Sequence, residues 1–177
     1  MLDIKNLILN YHPTDIDERI CKKRMIEVLD SCNNCFSRDC KFGHFTASAF
    51  LLNKEMTHVL LMHHTKLDKW MQLGGHCDGD SDVKNVSIKE AQEESGINNI
   101  KPLSNDIFDI DMHLIPANKN DEAHYHFDVR FLLHAYDGDD FNKNHESKEL
   151  RWVHKNSNNI PTNSYSVIRM FEKLRKM

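Results

Sequence analysis

Residues 75–97 read GHCDGDSDVKNVSIKEAQEESGI, and the fold turns on how this stretch divides. Before it, Trp70 to Leu73 is a short apolar run that suits a strand and leads into Gly74 and Gly75. Asp78, Gly79, Asp80 and Ser81 then make a flexible acidic loop. From Val83 to Ser95 the spacing predicts a helix, with Val86, Ala91 and Ile88 as candidates for its inner face and Gly96 placed to end it. On that helix Glu90, Glu93 and Glu94 stand at i, i+3 and i+4, so the three carboxylates share one side. Like charges at that spacing repel. A hard cation such as Mg²⁺ takes oxygen ligands, turns the repulsion into attraction and keeps positions for water or phosphate oxygens. The ordinary alternative is a solvated acidic face, and the neighbouring residues have to decide between the two.

Outward from this segment, Thr14 and Asp15 are cap candidates for a helix over residues 14–30 that places Ile16, Ile20, Met25, Val28 and Leu29 at roughly helical spacing. Phe45 to Leu52 and His58 to His63 are apolar and β-compatible, with the polar turn Asn53-Lys54-Glu55 between them, and predict a hairpin. Further strands are expected at Ile107 to Leu114, Tyr125 to His134 and Leu150 to Val153. A last amphipathic helix should follow Pro161, from about Ser164 to Lys176. This order suggests a mixed sheet covered by helices.

At 177 residues the chain is the length of one domain, so one active site is sought. Hydrophobic residues make up 40% and charged residues 28%. There is no apolar run near the roughly 18 residues a membrane span needs and no secretory segment after Met1, so a cytoplasmic location is expected. The formal charge of −4 and the lack of a long basic stripe argue against a nucleic acid polymer as partner. A small anionic ligand would need metal or local cations. The five cysteines are an odd count and read as thiols rather than a disulfide framework.

Gly75, Lys89, Glu90, Ala91, Glu93, Glu94, Gly96 and Ile97 fall at the spacing of the Nudix box, G-x5-E-x7-R-E-U-x-E-E-x-G-U with U aliphatic. The chain resembles the Nudix hydrolases on this basis. The resemblance implies an α/β fold: the family's α/β/α sandwich with a mixed β-sheet, here carrying an N-terminal helical extension. Residues 1–177 would be a single domain, with the extension at 1–43 and the box at 75–97. It also implies attack by water on a nucleoside diphosphate linked to some moiety X, or on a related diphosphate, with Glu90, Glu93 and Glu94 as catalytic residues holding Mg²⁺ or Mn²⁺. Homodimerisation is implied as an assembly. Two positions depart from the box: its first glutamate falls on Ser81 and its arginine on Lys89. Those family positions commonly brace the loop against the helix. Asp80 or Asp82 can reach Lys89 instead, although a lysine point charge does not reproduce the bidentate arginine geometry. Lys89 is also a candidate for substrate phosphate.

His124 and His126 form an HxH pair in an expected strand, where a period of two puts both imidazoles on one face, and Asp128 and Arg130 continue that face. Arg130 is either a phosphate-binding fork or the partner of neighbouring carboxylates. His44 opens an expected strand and His76 follows the paired glycines. This arrangement resembles type 1 isopentenyl diphosphate isomerase, which has the same fold. By that resemblance His44, His76, His124 and His126 are candidates for a second site holding Zn²⁺ or Mn²⁺, because imidazole suits softer ions than Mg²⁺. The isomerase's cysteine corresponds to Gly74, which ranks isomerisation below hydrolysis. A non-catalytic diphosphate sensor on the same fold is the rival from outside enzymology.

Cys32, Cys35, Cys40 and His44 approximate a compact zinc knuckle in ligand type, with plain thiols as the alternative. Cys77 lacks the base-and-orienter set of a nucleophile. Trp70 and Trp152 read as packing residues. Glu146 and Glu149 precede Trp152 where Nudix enzymes often supply a further carboxylate; either is a candidate general base or plain surface charge. Substrate identity would be set outside the box, by the N-terminal helix, the segment from Lys101 to Asn120 and the loop from Asp137 to Ser147.

Overall fold

The computed structural model describes residues 3–118 and 122–177. Residues 119 and 120, part of the segment expected to help set specificity, lie outside them, as do residues 1, 2 and 121. Among the described residues four helices, α1 (Ile4–Asn10), α2 (Ile16–Ser31), α3 (Val83–Ser95) and α4 (Tyr165–Arg175), accompany eight strands. The strands are β1 (Gly43–Leu52), β2 (His58–His64), β3 (Lys69–Met71), β4 (Leu73–His76), β5 (Ile100–Pro102), β6 (Asp109–Ile115), β7 (His124–Ala135) and β8 (Ser147–His154). They pair in the order β3-β2-β1-β7-β5, with β4 on β1, β6 on β7 and β8 on β2. The chain divides into two compact units, and β1 and β7 each run from one into the other.

The first unit comprises Met1–Ala47, Gly75–Val86 and Asp106–Phe131. Asp15 caps α2 by accepting the Glu18 N–H at 2.8 Å, which satisfies one of the amide groups a helix start leaves open. The Glu18 carboxylate is itself buried and accepts from the Tyr11 hydroxyl at 2.8 Å and the Thr14 hydroxyl at 2.9 Å, tying α2 to the residues after α1. Within α2 the buried positions are Glu18, Cys21, Met25 and Val28. Ile16 and Ile20, two of the apolar positions that gave the helical spacing, are exposed. α2 packs on α1 and β6 through its other side, so its seven-residue neighbour α1, which spacing did not reveal, sets the rotation.

β6 and β7 pair antiparallel from Asp109↔Arg130 to Ile115↔His124. Beside them β1 runs in the same direction as β7, since Gly43 meets Tyr125 while Thr46 hydrogen-bonds Asp128 at 3.1 Å. The sheet is therefore mixed, and the α/β class with an N-terminal helical extension agrees with expectation. Gly43 is required by proximity: a Cβ there would lie 2.5 Å from the Tyr125 carbonyl oxygen. This approach sets the start of β1 against β7, with Phe45 packing on Phe127 at 5.7 Å between ring centroids.

The second unit comprises Ser48–Gly74, Ser87–Asn105 and Leu132–Met177. The expected β1–β2 hairpin is present, with Leu51↔Leu60 and Leu52↔Val59 in register. Its turn is organised by Asn53, whose Oδ1 accepts the N–H groups of Thr57 and His58 at 2.8 and 2.9 Å. β2 pairs antiparallel with β3 and with β8. The single strand expected over Trp70 to Leu73 is two, broken at Gln72. The core of this unit includes Phe50, Leu60, Leu61 and, from α4, Met170 and Phe171. Phe50 and Phe171 meet edge to face at 5.1 Å, a favoured aromatic geometry. β5 forms through its ladder with β7 at Ile100↔Ala135 to Pro102↔Leu133.

Candidate functional site

In α3 the helix bounds coincide with those expected from the sequence. Asp82 precedes the helix and its carboxylate accepts the Asn85 N–H at 3.2 Å, while the Asp80 carboxylate accepts the Asp82 N–H at 2.8 Å. Both aspartates thus serve the local backbone at the helix start. Gly96 ends the helix in the left-handed region at φ 72°, with its N–H on the Gln92 carbonyl at 2.8 Å. A side chain there would also press on Asn142, whose backbone N–H donates to the Ser95 carbonyl at 2.7 Å. The loop around Asn142 is thereby fixed to the C-terminal end of the glutamate helix.

Glu94 is 2% exposed, and its carboxylate accepts the Gly74 N–H at 2.8 Å. Burial pushes its pKa from the ordinary 4.5 up to about 8, and the carboxylates of Glu90, Glu146 and Glu93 push in the same direction, against the lowering effect of the Gly74 hydrogen bond. Glu90 and Glu93 of α3 and Glu146 from the loop before β8 thus each act on Glu94. Of the two later glutamates weighed in the sequence, Glu149 is engaged with Arg151 at 2.7 Å, leaving Glu146 as the one that bears on Glu94. Lys89 pairs with Glu93 at 3.7 Å on a largely exposed surface, where such a pair contributes little. The donor type fits a hard divalent ion: carboxylate oxygen is what such an ion takes, and the repulsion that Glu90, Glu93 and Glu146 exert on Glu94 is the condition a cation relieves.

In the first unit, His44, His124 and His126 bring ring nitrogens within 4.8 Å of one another. His76 borders them with its ring centroid 5.2 Å from that of His44 and 4.9 Å from that of His126. His113, paired across from His126 in the β6–β7 ladder, lies 5.4 Å from it. Sequence reasoning included His76 and missed His113, which an exposed-looking strand position gave no reason to single out. Burial lowers the pKa of His126 to about 2 and of His76 to about 4, with neighbouring imidazoles adding to the effect. His44 is lowered by the same causes, burial first. His44 is 3% exposed, and among the described residues neither of its ring nitrogens has a hydrogen-bond partner. A buried polar atom left so costs about 1–3 kcal/mol.

Further along β7, Arg130 is buried and surrounded by carboxylates. Its Nε donates to Asp128 at 2.7 Å, Nη1 to Asp109 at 3.0 Å and Nη2 to Asp111 at 3.0 Å. Burial works against its charge, but the carboxylates outweigh it and hold the guanidinium more firmly protonated. The planar fork is thus engaged by protein acids, which favours the ion-pair alternative over a phosphate contact. Of the cysteine set, Cys32 and Cys40 bring their sulfurs to 2.9 Å, Cys35 is buried with its thiol pushed up to about 11 by burial and by Cys32, and His44 joins the histidines. Trp70 stacks on His63 at 5.1 Å beneath the Arg151 guanidinium, and Trp152 donates to the Asp139 carbonyl at 2.8 Å.

A family profile for the NUDIX domain matches residues 43–172. No curated protein matches the chain significantly. Among solved structures, the chain is similar to an Ap4A hydrolase from C. elegans, 16% identical, with 75% of this chain and 95% of that one covered at a TM-score of 0.59. A NUDIX-family hydrolase from Clostridium perfringens is 25% identical, with 75% and 97% covered at 0.53. An ADP-ribose pyrophosphatase from Streptococcus suis is 18% identical, with 75% and 92% covered at 0.52.

Proposed function

Because the chain belongs to the Nudix family and is a hydrolase of that family, we propose that it cleaves a phosphoanhydride bond in a nucleoside diphosphate linked to X, or in a related diphosphate, with Mg²⁺ or Mn²⁺ held by Glu90, Glu93 and Glu94. The observation that carries this reading is the buried Glu94 carboxylate, anchored by the Gly74 N–H, with Glu90, Glu93 and Glu146 acting on it. Solved structures named for Ap4A hydrolysis and ADP-ribose pyrophosphatase activity support the substrate class. When bound, a divalent ion supplies charge neutralisation of the phosphate oxygens and a more acidic water.

The chain's own residues do the rest. Gly74 orients the Glu94 carboxylate, leaving its second oxygen for a ligand. Glu146, whose charge acts on Glu94 from outside the box, is the proposed general base: it takes the proton as water oxygen bonds to phosphorus and the bridging P–O bond breaks. Lys89, exposed on the helix beside Glu93, is the proposed contact for substrate phosphate. Residues 1–177 act as a single Nudix domain in this reading, with 1–43 as its extension, working in the cytoplasm and as a homodimer. No described helix is long and apolar enough to cross a membrane.

The test is phosphate or nucleotide release from a panel of nucleotide and non-nucleotide diphosphates with Mg²⁺ or Mn²⁺, comparing the wild type with Glu93→Gln and Glu146→Gln. Metal-dependent release lost in Glu93→Gln, and reduced about 100-fold or more in Glu146→Gln, is expected. Wild-type chain that binds diphosphates without turning any of them over would leave the sensor reading in its place.

A further inference from the structure

The histidines of β1 and β7 belong to none of the steps above. His124 and His126 are two residues apart on β7 and so share a face, and His44 enters from the start of β1, which Gly43 allows to close on Tyr125. Ring centroids stand 5.1 Å apart for His44 and His124, 4.8 Å for His44 and His126, and 5.2 Å for His124 and His126. Such a cluster gives its members little reason to gather unless something uses their lone pairs. His44 sharpens the point, since it is buried with both nitrogens unpartnered among the described residues. His124 adds a second sign: its Nδ1 lies 2.8 Å from the Glu122 carbonyl oxygen, an arrangement that holds the proton on Nδ1 and turns Nε2 outward as an acceptor.

We propose that His44, His124 and His126 form a binding site for a transition-metal ion of the Zn²⁺ class, built from ligands other than the glutamates of α3. Neutral imidazole is the ligand chemistry that such an ion prefers and Mg²⁺ does not. Tetrahedral Zn–N bonds of about 2.0–2.1 Å put ligand nitrogens about 3.4 Å apart, so closing from separations within 4.8 Å takes side-chain movements on the order of an ångström. Three histidines leave a fourth position for water or another ligand, bordered by the His76 ring. Arg38 and Asp78, whose charges act on His44 and His76 with opposite sign, pair with each other at 2.9 Å, so neither sign is left to dominate.

The experiment is Co²⁺ binding to the full chain, stripped with chelator and then saturated with Mg²⁺ to fill oxygen-ligand sites. We expect one Co²⁺ per chain with a strong tetrahedral visible band, no thiolate charge-transfer band, and displacement by Zn²⁺. His126→Ala and His124→Ala, made separately at two half-buried positions, each lower Co²⁺ affinity about 100-fold or more. His145→Ala, at an exposed histidine, and Cys32→Ser leave it unchanged. Melting curves in chelator establish that each variant is folded. Unchanged Co²⁺ affinity in both folded histidine variants would overturn the proposal. So would a thiolate band that vanishes in Cys32→Ser, or only a weak six-coordinate spectrum. The readout involves no diphosphate turnover, so it stands or falls separately from the proposed hydrolysis.

Discussion

Replacing Glu94 with glutamine should stabilise the metal-free protein, and more so as the pH rises. Glu94 is buried, and its pKa climbs on folding from 4.5 to about 8. An acid raised in this way favours the folded state fully below its unfolded pKa, and that contribution is lost as the pH rises from 4.5 towards 8. At about 1.36 kcal/mol per unit, the ionising carboxyl costs the native state about 1 kcal/mol near pH 5 and about 4 kcal/mol near pH 8, relative to a neutral group in its place. Glutamine keeps an oxygen for the Gly74 N–H and removes the charge. In chelator, Glu94→Gln should therefore gain about 3 kcal/mol over the wild type between those two pH values, or roughly 6–12 °C in Tm for a domain of this size. Thermal melts of both proteins, followed by circular dichroism across the pH range, measure the difference directly. With excess Mg²⁺ the order should reverse near pH 8, because the wild-type carboxylate then has a partner that glutamine lacks. A Tm difference that stays flat with pH in chelator would refute the reasoning, since it would mean that the carboxyl is not desolvated among the other acids.

Gly96→Ala should destabilise the chain by about 1–2 kcal/mol, read from the denaturant midpoint, because alanine is strained at φ 72° and its Cβ would crowd Asn142 at 3.1 Å. Arg130→Met leaves Asp109, Asp111 and Asp128 without their common cation, at a cost of about 3–5 kcal/mol in urea unfolding at neutral pH.

The helix that carries the glutamates was legible to the residue because its limits are written locally: Asp82 at one end supplies a cap and Gly96 at the other supplies a left-handed backbone. β7, expected over Tyr125 to His134, runs one residue further at each end, and its alternation put His124 and His126 on one face. Elements made by distant partners were not legible. β5 is three residues long and exists through its ladder with β7, and α1 is held by Tyr11 and α2. Which face of α2 is covered was not legible for the same reason: spacing gives a helix its stripes, but its neighbours choose among them, and Ile16 and Ile20 stay exposed. At the candidate site, the three glutamates of α3 could be read from their period. That Glu146 rather than Glu149 bears on them depends on the path of the loop through Asn142, which no local pattern records.

The alternation along β7 also matters while the chain is folding. His124, His126, Asp128 and Arg130 occupy one side of the strand, and Tyr125, Phe127, Val129 and Phe131 the other. A slip of one residue against β6 exchanges the two sets completely. It would strand the Arg130 guanidinium away from Asp109 and Asp111, the two carboxylates that β6 supplies, and turn aromatic rings towards groups built to be polar. Mispaired intermediates are thus penalised on both faces at once, so β7 acts as its own proofreader, rejecting near-miss pairings before the rest of the sheet can lock them in.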